Sequence, residues 1–215
     1  TNNHYDLGTG NVLSTTDANG IATNFTYDTY GRIKKEILPF DTEANPTKEY
    51  VYTYDGIAPE KLLIQRRETS GQSGTFDTYQ FYDGFKQLIQ TKTEAENSRQ
   101  IASNVLYDEF GKVKRQYNPY FITSTTEYST PDITINHTEF TYDALQRPAI
   151  IKNPDGTNKS INYDHWNNSF IDENSHQKST LLDGFGRIKQ VREYAENDVY
   201  DTTYTYDALS KLIKI

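Results

Sequence analysis

Nine Tyr-Asp dipeptides occur in this 215-residue chain, and eight of them recur at repeat intervals: Tyr5-Asp6, Tyr27-Asp28, Tyr54-Asp55, Tyr82-Asp83, Tyr107-Asp108, Tyr142-Asp143, Tyr163-Asp164 and Tyr206-Asp207; the other, Tyr200-Asp201, lies six residues before Tyr206-Asp207. Random placement of the same residues would give about one or two. A degenerate copy at the same interval reads Leu182-Asp183. Five of the carboxylates have a cation four residues on: Asp28 with Arg32, Asp108 with Lys112, Asp143 with Arg147, Asp183 with Arg187, and Asp207 with Lys211. Carboxylates could serve as general acids and bases. They could equally start turns by accepting their own downstream N–H groups and pair with the nearby cation. Catalysis needs one unusual site, and these are near-equal copies, so turn capping is the reading. If exposed, each ion pair contributes only about 0–1 kcal/mol.

The other groups that could do chemistry are sparse. His4, His137, His165 and His176 lack helical metal-ligand spacing, and no Cys assists them. His165 sits beside Trp166 and reads as a packing or turn residue. The oxygen-rich stretch 172–176 lacks the twelve-residue calcium-loop pattern. No catalytic residue, metal or cofactor is assigned.

The elements that hold these residues are legible from period and composition. The Tyr-Asp steps average about 25 residues once Leu182-Asp183 is counted, within the range of repeat architectures. Alternating runs precede the dipeptides, as in 23–27, 49–54, 138–142, 159–163 and 203–206, and period two marks half-buried strands. Side chains two apart share a face, so Phe25 with Tyr27, Tyr52 with Tyr54, Phe140 with Tyr142 and Tyr204 with Tyr206 are expected to pack together. After Tyr-Asp comes a turn, often Gly then a cation (Gly31-Arg32, Gly111-Lys112, Gly186-Arg187), then a second strand at 33–37, 113–117 and 188–191. A further turn follows, clearest at 17–20 and at Asn153-Pro154-Asp155-Gly156. No convincing helix is found; 58–64 is too short. The expected fold is all-β: stacked antiparallel hairpins in one array over 1–215, about nine repeats, interrupted by a loop insertion at 118–137 that would form an extra hairpin.

Composition sharpens this. There are 18 Tyr, no Cys and no Met, and the formal net charge is −8. Absence of Cys excludes a disulfide framework, a zinc knuckle and a thiol nucleophile. No run approaches the ~20 apolar residues of a membrane helix, and no basic face suits a nucleic-acid backbone. Leu, Ile, Val and Phe total 45 of 215 residues, close to the ~20% below which chains tend to stay disordered. The Tyr must therefore carry much of the packing. The chain starts at Thr1 without a signal-peptide pattern and ends inside a strand-like stretch, so it reads as a segment of a longer protein.

The motifs resemble a known family. Tyr27-Asp28-Thr29-Tyr30-Gly31-Arg32-Ile33, Tyr107-Asp108-Glu109-Phe110-Gly111-Lys112-Val113 and Tyr142-Asp143-Ala144-Leu145-Gln146-Arg147 are similar to the YD repeat of Rhs-type proteins. Residues 81–94, and 105–108 running on to 115–121, resemble the B component of insecticidal toxin complexes; teneurins are more distantly similar. The chain departs from the pattern at Lys86-Gln87, where Gly-Arg is usual, and at Leu182, where Tyr is usual. The resemblance implies a curved strip of hairpins in a large hollow shell that encloses and shields a toxic C-terminal polypeptide. It also implies a secreted, extracellular bacterial protein whose partners are that polypeptide and neighbouring repeats. The alternative is an adhesion module whose exposed Tyr or Trp bind glycans or a receptor. Neither the self-cleaving region nor the variable toxin tip of the family has a match here.

Overall fold

The computed structural model describes residues 1–195 and 198–215. Among them every regular element is a β-strand, and the strands pair antiparallel as successive hairpins. The stretch rejected as a helix lies at the start of a strand, Glu60–Arg67. The chain forms two compact units, one of Thr1–Val105 with Pro119–Ile133, the other of Leu106–Asn118 with Thr134–Ile215.

The first unit carries β1 (Asn2–Tyr5), β2 (Val12–Thr16), β3 (Ala22–Tyr27), β4 (Ile33–Ile37), β5 (Lys48–Thr53), β6 (Glu60–Arg67), β7 (Thr75–Tyr82), β8 (Leu88–Ala95) and β9 (Arg99–Tyr107). The second begins with β10 (Val113–Tyr117), while β11 (Tyr120–Thr123) returns to the first. The second continues with β12 (His137–Tyr142), β13 (Pro148–Lys152), β14 (Asn158–Asp164), β15 (Asn167–Ile171), β16 (Gln177–Leu182), β17 (Ile188–Ala195), β18 (Asp198–Thr203), β19 (Thr205–Tyr206) and β20 (Leu212–Lys214). In the first unit each strand from β1 to β9 pairs with the next, and β11 adds to β9 with Tyr120 opposite Ala102. In the second, β10 pairs with β12 and the meander runs to β18; β19 and β20 form a small hairpin.

A meander sends alternate turns to opposite edges. The Tyr-Asp turns therefore lie on one edge of each unit's strip, and turns such as 17–20, 153–156 and 172–175 on the other. At the Tyr-Asp edge the strand register slips by one residue, between Thr26 and Tyr27, Phe81 and Tyr82, Thr141 and Tyr142, and Leu181 and Leu182. That bulge accompanies a loop whose last residue is left-handed.

Residues 118–137 do not form the expected hairpin. They supply β11 and then an irregular segment, Ser124 to Ile133, lying over the face of the first unit that carries Tyr79, Phe81, Gln90, Lys92, Gln100, Ala102 and Asn104. All seven are buried. An irregular backbone needs partners for its N–H and C=O groups, and the sheet side chains provide them. Gln90 accepts from Ser129 N–H at 3.0 Å and donates to its carbonyl at 2.7 Å; Gln100 accepts from Thr125 N–H at 3.0 Å. The Lys92 ammonium donates to the Glu127 carbonyl and, at 2.7 Å, to Ser129 Oγ. Tyr128 meets Phe81 edge-on, centroids 5.9 Å apart. This is why the first unit's core is half polar.

Candidate functional site

The Tyr-Asp corner is the structure's recurrent chemical unit, and it is built the same way at Asp28, Asp83, Asp108, Asp143, Asp183 and Asp207. At Asp28 the main-chain N–H donates to the Arg32 carbonyl at 2.9 Å, and Gly31 N–H returns to the Asp28 carbonyl at 3.0 Å. Oδ1 accepts from the N–H groups of Tyr30 and Arg32, both at 2.9 Å, and Oδ2 accepts from Arg32 Nε at 2.6 Å. The residue three past the Asp is left-handed. Gly supplies it at 31, 111 and 186, but Lys86, Gln146 and Ser210 adopt the same φ, near 60°. The departure from Gly at Lys86 thus leaves the turn intact, although a side chain there is strained.

A second half of the unit links successive repeats. The hydroxyl of Tyr52 donates to the Ile33 carbonyl at 3.0 Å, the residue just past the corner cation Arg32. Tyr142 does the same to Val113 and Tyr206 to Ile188, both at 2.8 Å, and Tyr27 to Val12 at 2.7 Å. The corner guanidinium lies over the next repeat's ring: Arg32 over Tyr52 at 4.1 Å, Arg147 over Tyr163 at 4.0 Å, Arg187 over Tyr206 at 4.5 Å. Tyr therefore supplies a ring for the neighbouring Arg and a hydroxyl for the neighbouring backbone, while Asp holds the Arg. Of the expected ring pairs, Tyr52 and Tyr54 meet edge-on at 5.6 Å. Leu182 shows that the corner at Asp183 forms without Tyr.

Electrostatics follow the geometry. Burial would raise the Asp28 carboxyl, but bonds from Arg32 and Tyr30 outweigh it and hold it below its ordinary value. Asp143 is lowered first by the Arg147 N–H, and Asp183 first by the Arg187 side chain. These carboxylates stay ionised with both oxygens engaged. Neighbouring corners are two strands apart, about 9.5 Å. That is at the outer limit of the ~5–9.5 Å spacing of carboxylate pairs in glycoside hydrolysis, and each member is already ion-paired or bonded to backbone. The arrangement fastens hairpins; it does not present a free acid beside a free base.

Not every Tyr-Asp makes this corner. Asp6 caps a turn one residue longer, accepting from the N–H groups of Gly8 and Thr9. At Asp55 the Glu60 carboxylate takes the N–H groups of Asp55 and Gly56. Asp164 remains in β14 and meets the ring of His165 at 2.6 Å in a two-residue hairpin. Conversely, the sequence reading missed Asp172 as a corner. Its N–H donates to the His176 carbonyl at 3.0 Å, Oδ1 takes the N–H groups of Asn174 and His176, and the His176 ring occupies the cation's seat. The four-residue interval from Asp to a basic side chain was the available signal. Among the described residues no cluster of three His, Asp or Glu could hold a metal ion.

Two other features lie outside the corners. Lys92, fully buried, is drawn down to about 8 by burial, but its ammonium is spent on the covering segment. A groove of about 980 Å³ in the first unit is lined by Ile21, Ile37, Leu38, Pro39 and Phe40; its carboxylate, Asp41, is held by Thr47, Ser70 and the Gly71 N–H.

Comparison with known proteins agrees with this construction. The RHS repeat family model matches residues 5–43. No curated protein matches by sequence. Among solved structures, the chain resembles the crystal structure of TcdB2-TccC3 with a TM-score of 0.76 at 17% identity, covering 98% of this chain and 14% of that one. The TcdB2-TccC3-Cdc42 crystal structure also gives 0.76, at 14% identity, over 98% and 16%. The Photorhabdus luminescens Tc holotoxin pore with a mutated TccC3 gives 0.75, at 14% identity, over the same shares. The chain thus spans about a seventh of the solved chains it matches and has their fold.

Proposed function

We propose that this chain, whose residues 5–43 match the RHS repeat model and whose fold is that of toxin-complex chains, is a segment of a secreted bacterial toxin shell whose strip encloses and shields a toxic C-terminal polypeptide. The observation that carries this reading is the inter-repeat clamp, in which Arg of one corner lies over Tyr of the next. A wall needs each hairpin fastened to its neighbour and no reactive centre, and the corners supply that fastening with their carboxylates engaged. Partners on this reading are further repeats and the enclosed polypeptide. Among the described residues no helix is long and apolar enough to cross a membrane.

Limited proteolysis of the longer protein containing this segment tests the proposal. The C-terminal polypeptide should resist cleavage in the intact protein and become sensitive when Arg147→Ala and Arg187→Ala loosen the strip. Equal sensitivity with and without the array would refute a shielding role.

The adhesion reading draws on Tyr30, Tyr50 and Tyr52, which line a cleft of about 550 Å³. A sugar would need an open ring face, and Arg32 already lies over Tyr30 and Tyr52. The shell reading is therefore preferred, and a glycan array is expected to be negative.

A further inference from the structure

The residue in the seat two past each corner Asp gives its N–H to the Asp Oδ1, and its side chain takes no part in the hydrogen bonds of the turn. On the Tyr-Asp edge of the second unit that seat holds Phe110, Leu145, Phe185 and Leu209, with Trp166 at the same offset from Asp164. All five are exposed, between 53% and 84%. In the first unit Tyr30, Ile57 and Phe85 occupy it, exposed by 73% or more. The opposite edge is an internal control. Turns with the same hydrogen bonds at Asp17 and Asp172 carry Asn19 and Asn174 in that seat, and the similar backbone turn at Asn153 carries Asp155. The turn does not demand an apolar residue, yet on the Tyr-Asp edge every such seat except Gly8, in the longer turn at Asp6, has one.

We infer that the Tyr-Asp edge of the second unit is an interface, and that its occupant is the same edge of a second copy of this chain. The tips from Phe110 to Phe185 repeat every two strands, about 9.5 Å. A second copy, turned by a two-fold axis, offers the same interval, so that tips of one edge enter gaps of the other. The five side chains expose roughly 600 Å² together, near the ~800 Å² per partner of a standard interface. The formal charge of −8 opposes self-association, but two of the acids beneath the tips are already paired, Asp143 with Arg147 and Asp183 with Arg187. Arg187 also lies 5.0 Å from the Phe185 ring, holding that tip in place before contact. A lipid surface is the less favoured occupant, because the chain's acidic excess repels anionic headgroups.

Sedimentation velocity of the 215-residue chain, from low micromolar to about 200 µM, reads the interface directly. The expected result is a monomer–dimer equilibrium. Leu145→Asn and Phe185→Asn should each weaken it by roughly tenfold or more, with unchanged circular dichroism, because Asn keeps the turn's N–H. Val199→Asn, exposed on β18 away from the tips, should leave it unchanged. A chain monomeric throughout, or a dimer weakened as much by Val199→Asn as by the tip variants, overturns the inference. Binding to zwitterionic vesicles through the same tips, without dimerisation, also overturns it and assigns the edge to lipid.

Discussion

The β6–β9 stretch of the first unit and the β12–β18 strip of the second use the same antiparallel ladder and the same corners, yet they bury very different amounts. In the first, Phe81, Gln90, Lys92, Gln100, Ala102 and Asn104 are almost wholly out of solvent. In the second, Ser179 alone among the described residues of β12–β18 falls in the buried class. The difference is the irregular segment that covers one face of the former. A hairpin strip has two faces and no inside, so edge clamps must do what a core does elsewhere. Where a loop seals a face, a core appears, and it must bring polar partners for the loop's backbone.

This contrast can be broken most sharply at the aromatic positions. Phe81→Ala should cost about 3–5 kcal/mol, the range for a buried Phe truncation. Phe140→Ala, in the half-buried β12, should cost about 1–2 kcal/mol because less area is lost. Urea denaturation compares the two, and equal costs would remove the distinction.

Lys92→Met is next. It strands the Glu127 carbonyl and Ser129 Oγ beneath the cover, at about 1–3 kcal/mol. It also carries a pH signature. Burial lowers Lys92 from 10.5 to about 8, so between those values the unfolded chain binds more protons than the folded one. Wild-type stability relative to Lys92→Met should therefore rise from pH 8 to about 10. A flat difference would mean that the ammonium is not desolvated.

In the uncovered strip the effects are smaller. Tyr206→Phe removes one hydroxyl from the Ile188 carbonyl and should cost about 0.5–1.5 kcal/mol, read as a lower urea midpoint at constant slope. Asp143→Asn should flatten the acid side of the stability profile. The Asp143 carboxyl is lowered by the Arg147 N–H and side chain, so its contribution is present above the ordinary carboxylate range and fades as pH falls through its folded value. The wild type should lose more stability than Asp143→Asn on acidification; parallel curves would show that the pairing carries nothing.

Much of this was legible in the sequence. The Tyr-Asp grammar indicated turns, strands and an all-β repeat, because Asp, Gly and period two act locally. Three things were not. The cover over β6–β9 depends on Gln90, Gln100 and Lys92 meeting a segment some thirty residues away, and no local pattern announces that. Asp172 was missed because its corner follows Ile171 instead of Tyr. The target of the Tyr hydroxyl, a carbonyl in the preceding repeat, becomes visible only when the register sets strands side by side.

The inter-repeat clamp is the central claim, and a double-mutant cycle between Arg147 and Tyr163 tests it most directly. Arg147→Gln, Tyr163→Leu and the double variant are compared by equilibrium unfolding. A coupling of about 0.5–1 kcal/mol is expected from a guanidinium 4.0 Å from the ring centroid. Additivity within about 0.3 kcal/mol would contradict it, and the hairpins would then be joined by their ladders and the Tyr hydroxyl bonds without the guanidinium.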